Sequence, residues 1–152
     1  MTASIRNKIL LKGNYGRREE AVAGAAGLYP GMLVKLNSSG QVVVHDDEGG
    51  FAERCFVLED VLQGKTKSDV YTIGNIVSLH LALPGDEVQG LIEDGQNISV
   101  GDQLISAGNG KLKAASGLES GETLEQVIAI ATADCDLTGS GTTDTLSPVR
   151  VL

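Results

Sequence analysis

Short apolar runs alternate with glycine-centred polar breaks along this chain, and that spacing predicts strands. The clearest is 75–83, where Val77, Leu79, Leu81 and Leu83 fall on one face and Ile76, Ser78, His80 and Ala82 on the other. Pro84 and Gly85 then close it, because proline has no N–H to give a ladder. Further strands are expected at 32–36, 41–45, 54–59, 87–92, 103–106, 111–114, 125–132 and 148–152. No window carries a sustained 3.6-residue apolar period. The stretch 19–26 holds helix-forming residues interrupted by Gly24, and reads equally as a short helix or an extended arm. The segment 134–147, rich in Gly, Thr and Ser, reads as a long surface loop.

Two segments repeat one pattern. Gly31, Val34, Gly40, Val42 and Val44 recur in spacing as Gly101, Leu104, Gly110, Leu112 and Ala114. Each copy reads as a tight turn, a strand, a polar loop and a return strand. Repeated hairpins that close their own edges point to a small barrel. The expected fold is therefore all-β: a Gly-rich β-barrel or β-sandwich with an extended N-terminal arm and little helix.

The 152 residues are the length of one ordinary domain, and 41% hydrophobic composition is enough for a core. The longest apolar run, 127–133, suits a strand and falls well short of a membrane helix, so no membrane partner is expected. The first thirteen residues lack the apolar region of a secretion signal, and the expectation is a product made in the cytoplasm. Net charge is −8, and the aromatic residues are five, which argues against a nucleic-acid partner.

That total conceals an asymmetry. Residues 1–18 contain Arg6, Lys8, Lys12, Arg17 and Arg18 and no acid, a local +5; the remainder holds seven basic and twenty acidic groups, a local −13. The expected organisation is a basic N-terminal arm over 1–27 and a single barrel-like domain over 28–152. The candidate contact residues are those of the arm: Arg6, Lys8, Lys12, Arg17 and Arg18 for charge, Ile9, Leu10 and Leu11 as a strand for a partner's edge, and Tyr15.

Candidate chemistry is sparse. Gly64-Lys65-Thr66 has Glu59 where a phosphate loop needs glycine. His45 and His80 fall on separate strands, and no nucleophile elbow supports a triad. The Asp46-Asp47-Glu48 run lacks a calcium-loop spacing, and Asp134 and Asp136 flank Cys135 in an expected loop. Lys111 follows a Gly-Asn-Gly turn without the neighbours of a carrier lysine. Cys55 and Cys135 have no metal-ligand spacing and are expected as free thiols. No enzyme activity, cofactor or metal is expected.

The segment order itself carries a resemblance. Tyr15-Gly-Arg-Arg-Glu-Glu-Ala21 leads to Tyr29-Pro-Gly-Met-Leu-Val-Lys-Leu36, then Cys55-Phe-Val-Leu-Glu-Asp60 and Tyr71-Thr-Ile-Gly-Asn-Ile-Val77. Leu83-Pro-Gly-Asp-Glu-Val88, Val100-Gly-Asp-Gln-Leu104, Gly108-Asn-Gly-Lys-Leu112 and Val149-Arg-Val-Leu152 follow. In order and spacing the chain resembles the small capsid decoration, or cement, proteins of tailed bacteriophages over nearly its whole length. The resemblance implies a homotrimer on the outer surface of the virion, with the major capsid protein as partner and no catalytic residues. A ligand- or carbohydrate-binding barrel displayed on a virion is the alternative.

Overall fold

The computed structural model describes residues 7–14, 17–116 and 125–152. Thirteen strands follow one another: β1 (Leu10–Lys12), β2 (Arg18–Val22), β3 (Val34–Leu36), β4 (Val42–Val44), β5 (Cys55–Val57), β6 (Ile76–Leu81), β7 (Glu87–Ile92), β8 (Asn97–Ile98), β9 (Gln103–Ser106), β10 (Leu112–Ala114), β11 (Ala129–Ala131), β12 (Cys135–Asp136) and β13 (Thr145–Val151). Among the described residues there is no α-helix, and a 3-10 turn runs over Val61–Gln63. The expected all-β class holds.

The second half closes on itself. Strands β7, β10, β9, β11 and β13 form a ring, because β13 pairs back onto β7 from Thr145↔Ile92 to Arg150↔Glu87. A closed ring removes the sheet edges that an open sheet would expose. Alternation sends Val88, Ile92, Leu104, Leu112, Ala129, Val149 and Val151 inward, where all are buried. So few strands leave little room inside. At Gly90 on β7 an added Cβ would meet Leu112 Cδ1 at 2.7 Å.

The first half traces the same circuit in smaller pieces. Strands β2, β6 and β5 form one ladder, and β3 and β4 form a hairpin. Single bridges join them, antiparallel at Leu33↔Phe56 and parallel at Ala23↔Val42. The two circuits are register-equivalent. Val34↔Val44, Lys35↔Val43 and Leu36↔Val42 recur seventy residues on as Leu104↔Ala114, Ile105↔Lys113 and Ser106↔Leu112. Cys55↔Leu81 corresponds to Ala129↔Val151, and Arg18↔His80 to Arg150↔Glu87. The parallel bridge Ala23↔Val42 corresponds to Leu112↔Ile92, and the bridge Leu28↔Tyr71 to Cys135↔Ile98. The hairpin repeat read from the sequence is thus one part of a duplication covering five strands in each half. Each half has its own core, that of the first built on Leu28, Val34, Val42, Val57, Val77 and Leu79.

The halves meet through outward-facing residues. On β3 and β5, alternation points Val34, Cys55 and Val57 into the first barrel and leaves Leu33 and Phe56 facing away from it. Both join the core of the second barrel, together with Leu58, Ile9 and Leu10.

This arrangement corrects the expected organisation at the N-terminus. The described residues there are extended, but they belong to the body. Ile9 and Leu10 are fully buried, β1 pairs with β7 at Leu10↔Val88, and β2 pairs along β6. Strand β7 lies beside β10 only near Ile92, so its first half offers an open edge, and the apolar triplet 9–11 fills it. Beside the closed five-stranded barrel, the first half forms an equivalent circuit of small sheets joined by single bridges, here called the first barrel, and that circuit includes β2. The 19–26 stretch resolves as β2 followed by a turn, and 134–147 contains β12 and the start of β13.

Truncating a buried Leu or Ile removes its transfer energy and leaves a cavity. Leu10→Ala and Ile9→Ala are each expected to cost about 2–5 kcal/mol, read as a lower urea midpoint with an unchanged slope. A loss below about 0.5 kcal/mol, the range of ordinary surface substitutions, would mean that the segment is dispensable to the body.

Candidate functional site

The candidate contact residues divide between core and surface. Arg6 and Tyr15 lie outside the described residues. Ile9 donates its N–H to the buried carboxylate of Glu59 at 2.9 Å, and its carbonyl accepts from Gln89 N–H at 2.8 Å. Gln89 Nε2 donates to the Lys8 carbonyl at 2.7 Å. These bonds and the burial of Leu10 fix the segment to the join, so Ile9 and Leu10 are not available to a partner. Lys12 pairs with Glu87 at 3.2 Å. Arg18 donates to Ser78 Oγ at 2.7 Å and lies 3.7 Å from Glu20. Arg17 is exposed. Of the seven described candidate residues, the structure brings Leu11 and Lys12 into a common concavity.

That concavity is a groove of about 1050 Å³ along the join. Its floor is the outer face of the second barrel, with Gln89 and Leu91 on β7 and Leu146 and Pro148 on β13. One wall comes from the turn before β3 in the first barrel, with Tyr29, Pro30 and Met32, and Leu11 and Lys12 line the groove as well. Charges stand among the apolar lining: Lys67, Glu87, and Lys111 paired with Asp144 at 2.7 Å. Burial raises the Asp144 carboxyl, but hydrogen bonds from Lys111 and the Asp94 N–H, with the Lys111 charge, outweigh it and hold the group below its ordinary value. An apolar floor with paired charges suits binding.

His45, His80, Asp134 and Asp136 are held by hydrogen bonds within the fold. His45 bridges the two barrels: Nδ1 is 2.7 Å from Ser106 Oγ and Nε2 2.8 Å from the Phe51 carbonyl. A carbonyl only accepts, so Nε2 carries a proton, while Ser106 Oγ, the partner of Nδ1, also accepts the Gly108 N–H at 3.1 Å. Ser106 and His45 are both buried, so this Ser–His pair has no route to a substrate. His80 Nε2 is 2.9 Å from Asp86, whose carboxylate also accepts the Leu83 N–H and so shapes the link between the barrels. Asp134 accepts the Val100 N–H and Asp136 the Thr138 N–H and hydroxyl, as loop residues do. Gly64 ends the 3-10 turn in a left-handed conformation, and no helix follows it to receive a phosphate. No metal-binding group of three His, Cys, Asp or Glu occurs among the described residues.

No family model matches the chain, and no curated protein matches it either.

The groove escaped sequence reasoning because its lining is scattered from Leu11 to Pro148. One partial signal was present: Leu91, at the end of a strand whose alternation already fills the barrel, is an apolar residue on the outer face. The thiols follow the expectation of free cysteines. Burial first, then the charges of Glu53 and Glu19, push Cys55 up to about 12; partial burial also raises Cys135. At pH 8 only about one Cys55 in ten thousand is thiolate. Iodoacetamide on the native protein is expected to leave Cys55 unlabelled and to modify Cys135 slowly, with both reacting fully in denaturant. Equal native labelling of the two would contradict the burial of β5.

Proposed function

We propose that the protein is a structural virion component: it binds the outer surface of an icosahedral capsid as a trimer and holds neighbouring major capsid subunits together. The observation that carries this reading is the order of segments along the chain, which resembles that of capsid decoration proteins, set on an all-β barrel frame. Committed histidines and carboxylates support a mechanical role over a catalytic one. Three identical subunits in a closed ring present three equal contacts. Once one contact forms, the others bind at high effective concentration, so modest contacts add up to a durable clamp. Removing a capsid subunit then requires breaking clamp contacts as well, which raises the barrier to shell rupture.

The buried Ile9 and Leu10 change which residues serve that role. A detachable basic arm is replaced by a fixed basic surface, with Lys12, Arg17 and Arg18 exposed beside an acidic body. The decisive experiment adds the purified protein to undecorated shells of the same virion and measures occupancy and rupture temperature. Saturable binding in multiples of three with a raised rupture temperature is expected. Absence of binding at about 10 μM, far above a specific dissociation constant, would overturn the reading.

The groove favours one alternative, a ligand- or carbohydrate-binding module displayed on a virion, since Tyr29 and the Lys111–Asp144 pair stand over its apolar floor. A one-to-one glycan complex lost in Tyr29→Ala, with no shell binding, would transfer the assignment to that reading.

A further inference from the structure

The two barrels of one chain meet head to tail, and the faces they would use for the same contact again are both exposed. The existing contact centres on Gly31, in the turn before β3. Its carbonyl accepts the Leu91 N–H of β7 at 3.0 Å, and it sits so closely on β13 that an added Cβ would lie 2.3 Å from Leu146 Cδ2. Beside it, Leu33 N–H donates to the Gly110 carbonyl at 2.8 Å. The first barrel thus contributes the turn and β3, and the second contributes β7, β13 and the loop after β9.

Register equivalence states what the complementary faces are. The counterpart of the Gly31 turn is the Gly101 turn of the second barrel, with φ of +92° against +90°. An added Cβ at Gly101 meets nothing within 4 Å, and its neighbour Val100 is 63% exposed where its counterpart Pro30 is buried. The counterpart of the Leu91/Leu146 seat is the cross-strand pair Val22/Ile76 on β2 and β6. Leu91 is 9% exposed; Val22 is 36% and Ile76 51% exposed. Gly40, the counterpart of Gly110, is also exposed and has open space at its Cβ.

Backbone orientation agrees. Ala23 N–H turns inward to Asn75 O at 2.7 Å, so by strand alternation the N–H of Val22 turns outward, as that of Leu91 does. In its sheet β2 is an edge strand, with β6 as its neighbour.

We infer that copies of this chain associate head to tail, the Gly101 turn of one seated on the Val22/Ile76 pair of the next as Gly31 is seated on Leu91/Leu146 within the chain. The occupant is a second copy because this chain already carries the matching surface in the matching backbone conformation. Such an interface is heterologous: it closes into a ring or continues as a filament, depending on the rotation per step. In a ring of three copies, six barrels would meet through six like contacts, three within chains and three between. The count of three rests on the capsid reading; the interface itself rests on the duplication alone.

The test uses the full chain in sedimentation velocity or native mass spectrometry from about 1 to 100 μM, spanning the affinities of ordinary specific contacts. The wild-type protein is expected to be oligomeric. One variant, Val22→Asp with Ile76→Asp, removes the seat; another, Val100→Asp with Gln103→Arg, removes the turn surface. Each is expected to be monomeric and to keep the wild-type far-UV circular dichroism spectrum, since the altered side chains are exposed. Mixed in equal amounts they are expected to form a one-to-one heterodimer and stop there, because each retains the face that the other lacks. Val22→Thr with Ile76→Thr keeps β propensity and is expected to weaken association at least tenfold with folding intact.

A monomeric wild type, a variant with wild-type mass, or a mixture that stays monomeric would each overturn the inference. Shell binding by a chain that stays monomeric would overturn it and spare capsid binding. Head-to-tail oligomers that bind no shell would sustain it and overturn the capsid reading.

Discussion

The seating of Gly31 on the outer face of β7 and β13 is the contact on which the rest of the molecule depends. Only a residue without a Cβ can come this close to Leu146 while holding a φ of +90°. The contact sets the distance between the barrels, and three other features follow from that distance. Leu33 and Phe56 reach the second core because the barrels are near enough to share it. His45 reaches Ser106 across the join. The groove is the part of the join that side chains do not fill, between the Tyr29–Met32 wall and the strands below it. Polar and apolar contacts therefore support one geometry. The buried His45–Ser106 bond adds direction to an otherwise hydrophobic contact, because both of its partners would be left unsatisfied if the barrels slid.

Much of the fold was legible because strand alternation and glycine punctuation are local signals. The expected bounds 87–92 and 103–106 coincide with β7 and β9, and 75–83 brackets β6. The repeated hairpin was visible where both copies keep an apolar residue facing their own core, as at Val34 and Leu104. Elsewhere the duplication is masked by the join. Leu33 faces the neighbouring barrel and its counterpart Gln103 faces solvent; Ser106 is buried by His45 while its counterpart Leu36 is exposed. One member of each pair answers to an interface and the other to water, so their chemistry diverges and sequence comparison loses the match. Backbone register retains it.

The same locality explains the misreading of the N-terminus. Five basic groups without an acid look like a solvated tail when counted along the chain, yet the charges alternate with residues that do the packing. Ile9 and Leu10 lie between Lys8 and Lys12, and the edge they fill belongs to a strand almost eighty residues away. Counting charge recorded the exposed half of the segment. The candidate site was less legible again, since its floor, wall and lining come from six separate stretches and no motif links them. The two histidines, on separate strands as the alternation suggested, are held by Ser106, Phe51 and Asp86.

The position of β1 also has a consequence for how the chain is made. It leaves the ribosome ahead of the other described strands, and its edge on β7 does not exist until residues 87–92 have followed it. The first barrel needs nothing beyond β6 for its own circuit, so it can close while β1 is still unplaced. Ile9, Leu10 and Leu11 then wait, apolar and undocked, for contacts at long sequence separation, and such contacts form late and slowly. Glu59 belongs to the half completed early, and its carboxylate can hold the Ile9 N–H before β7 arrives. A strand made early thus docks only after residues 87–92 have emerged, and the buried carboxylate is the mooring that keeps it near its place.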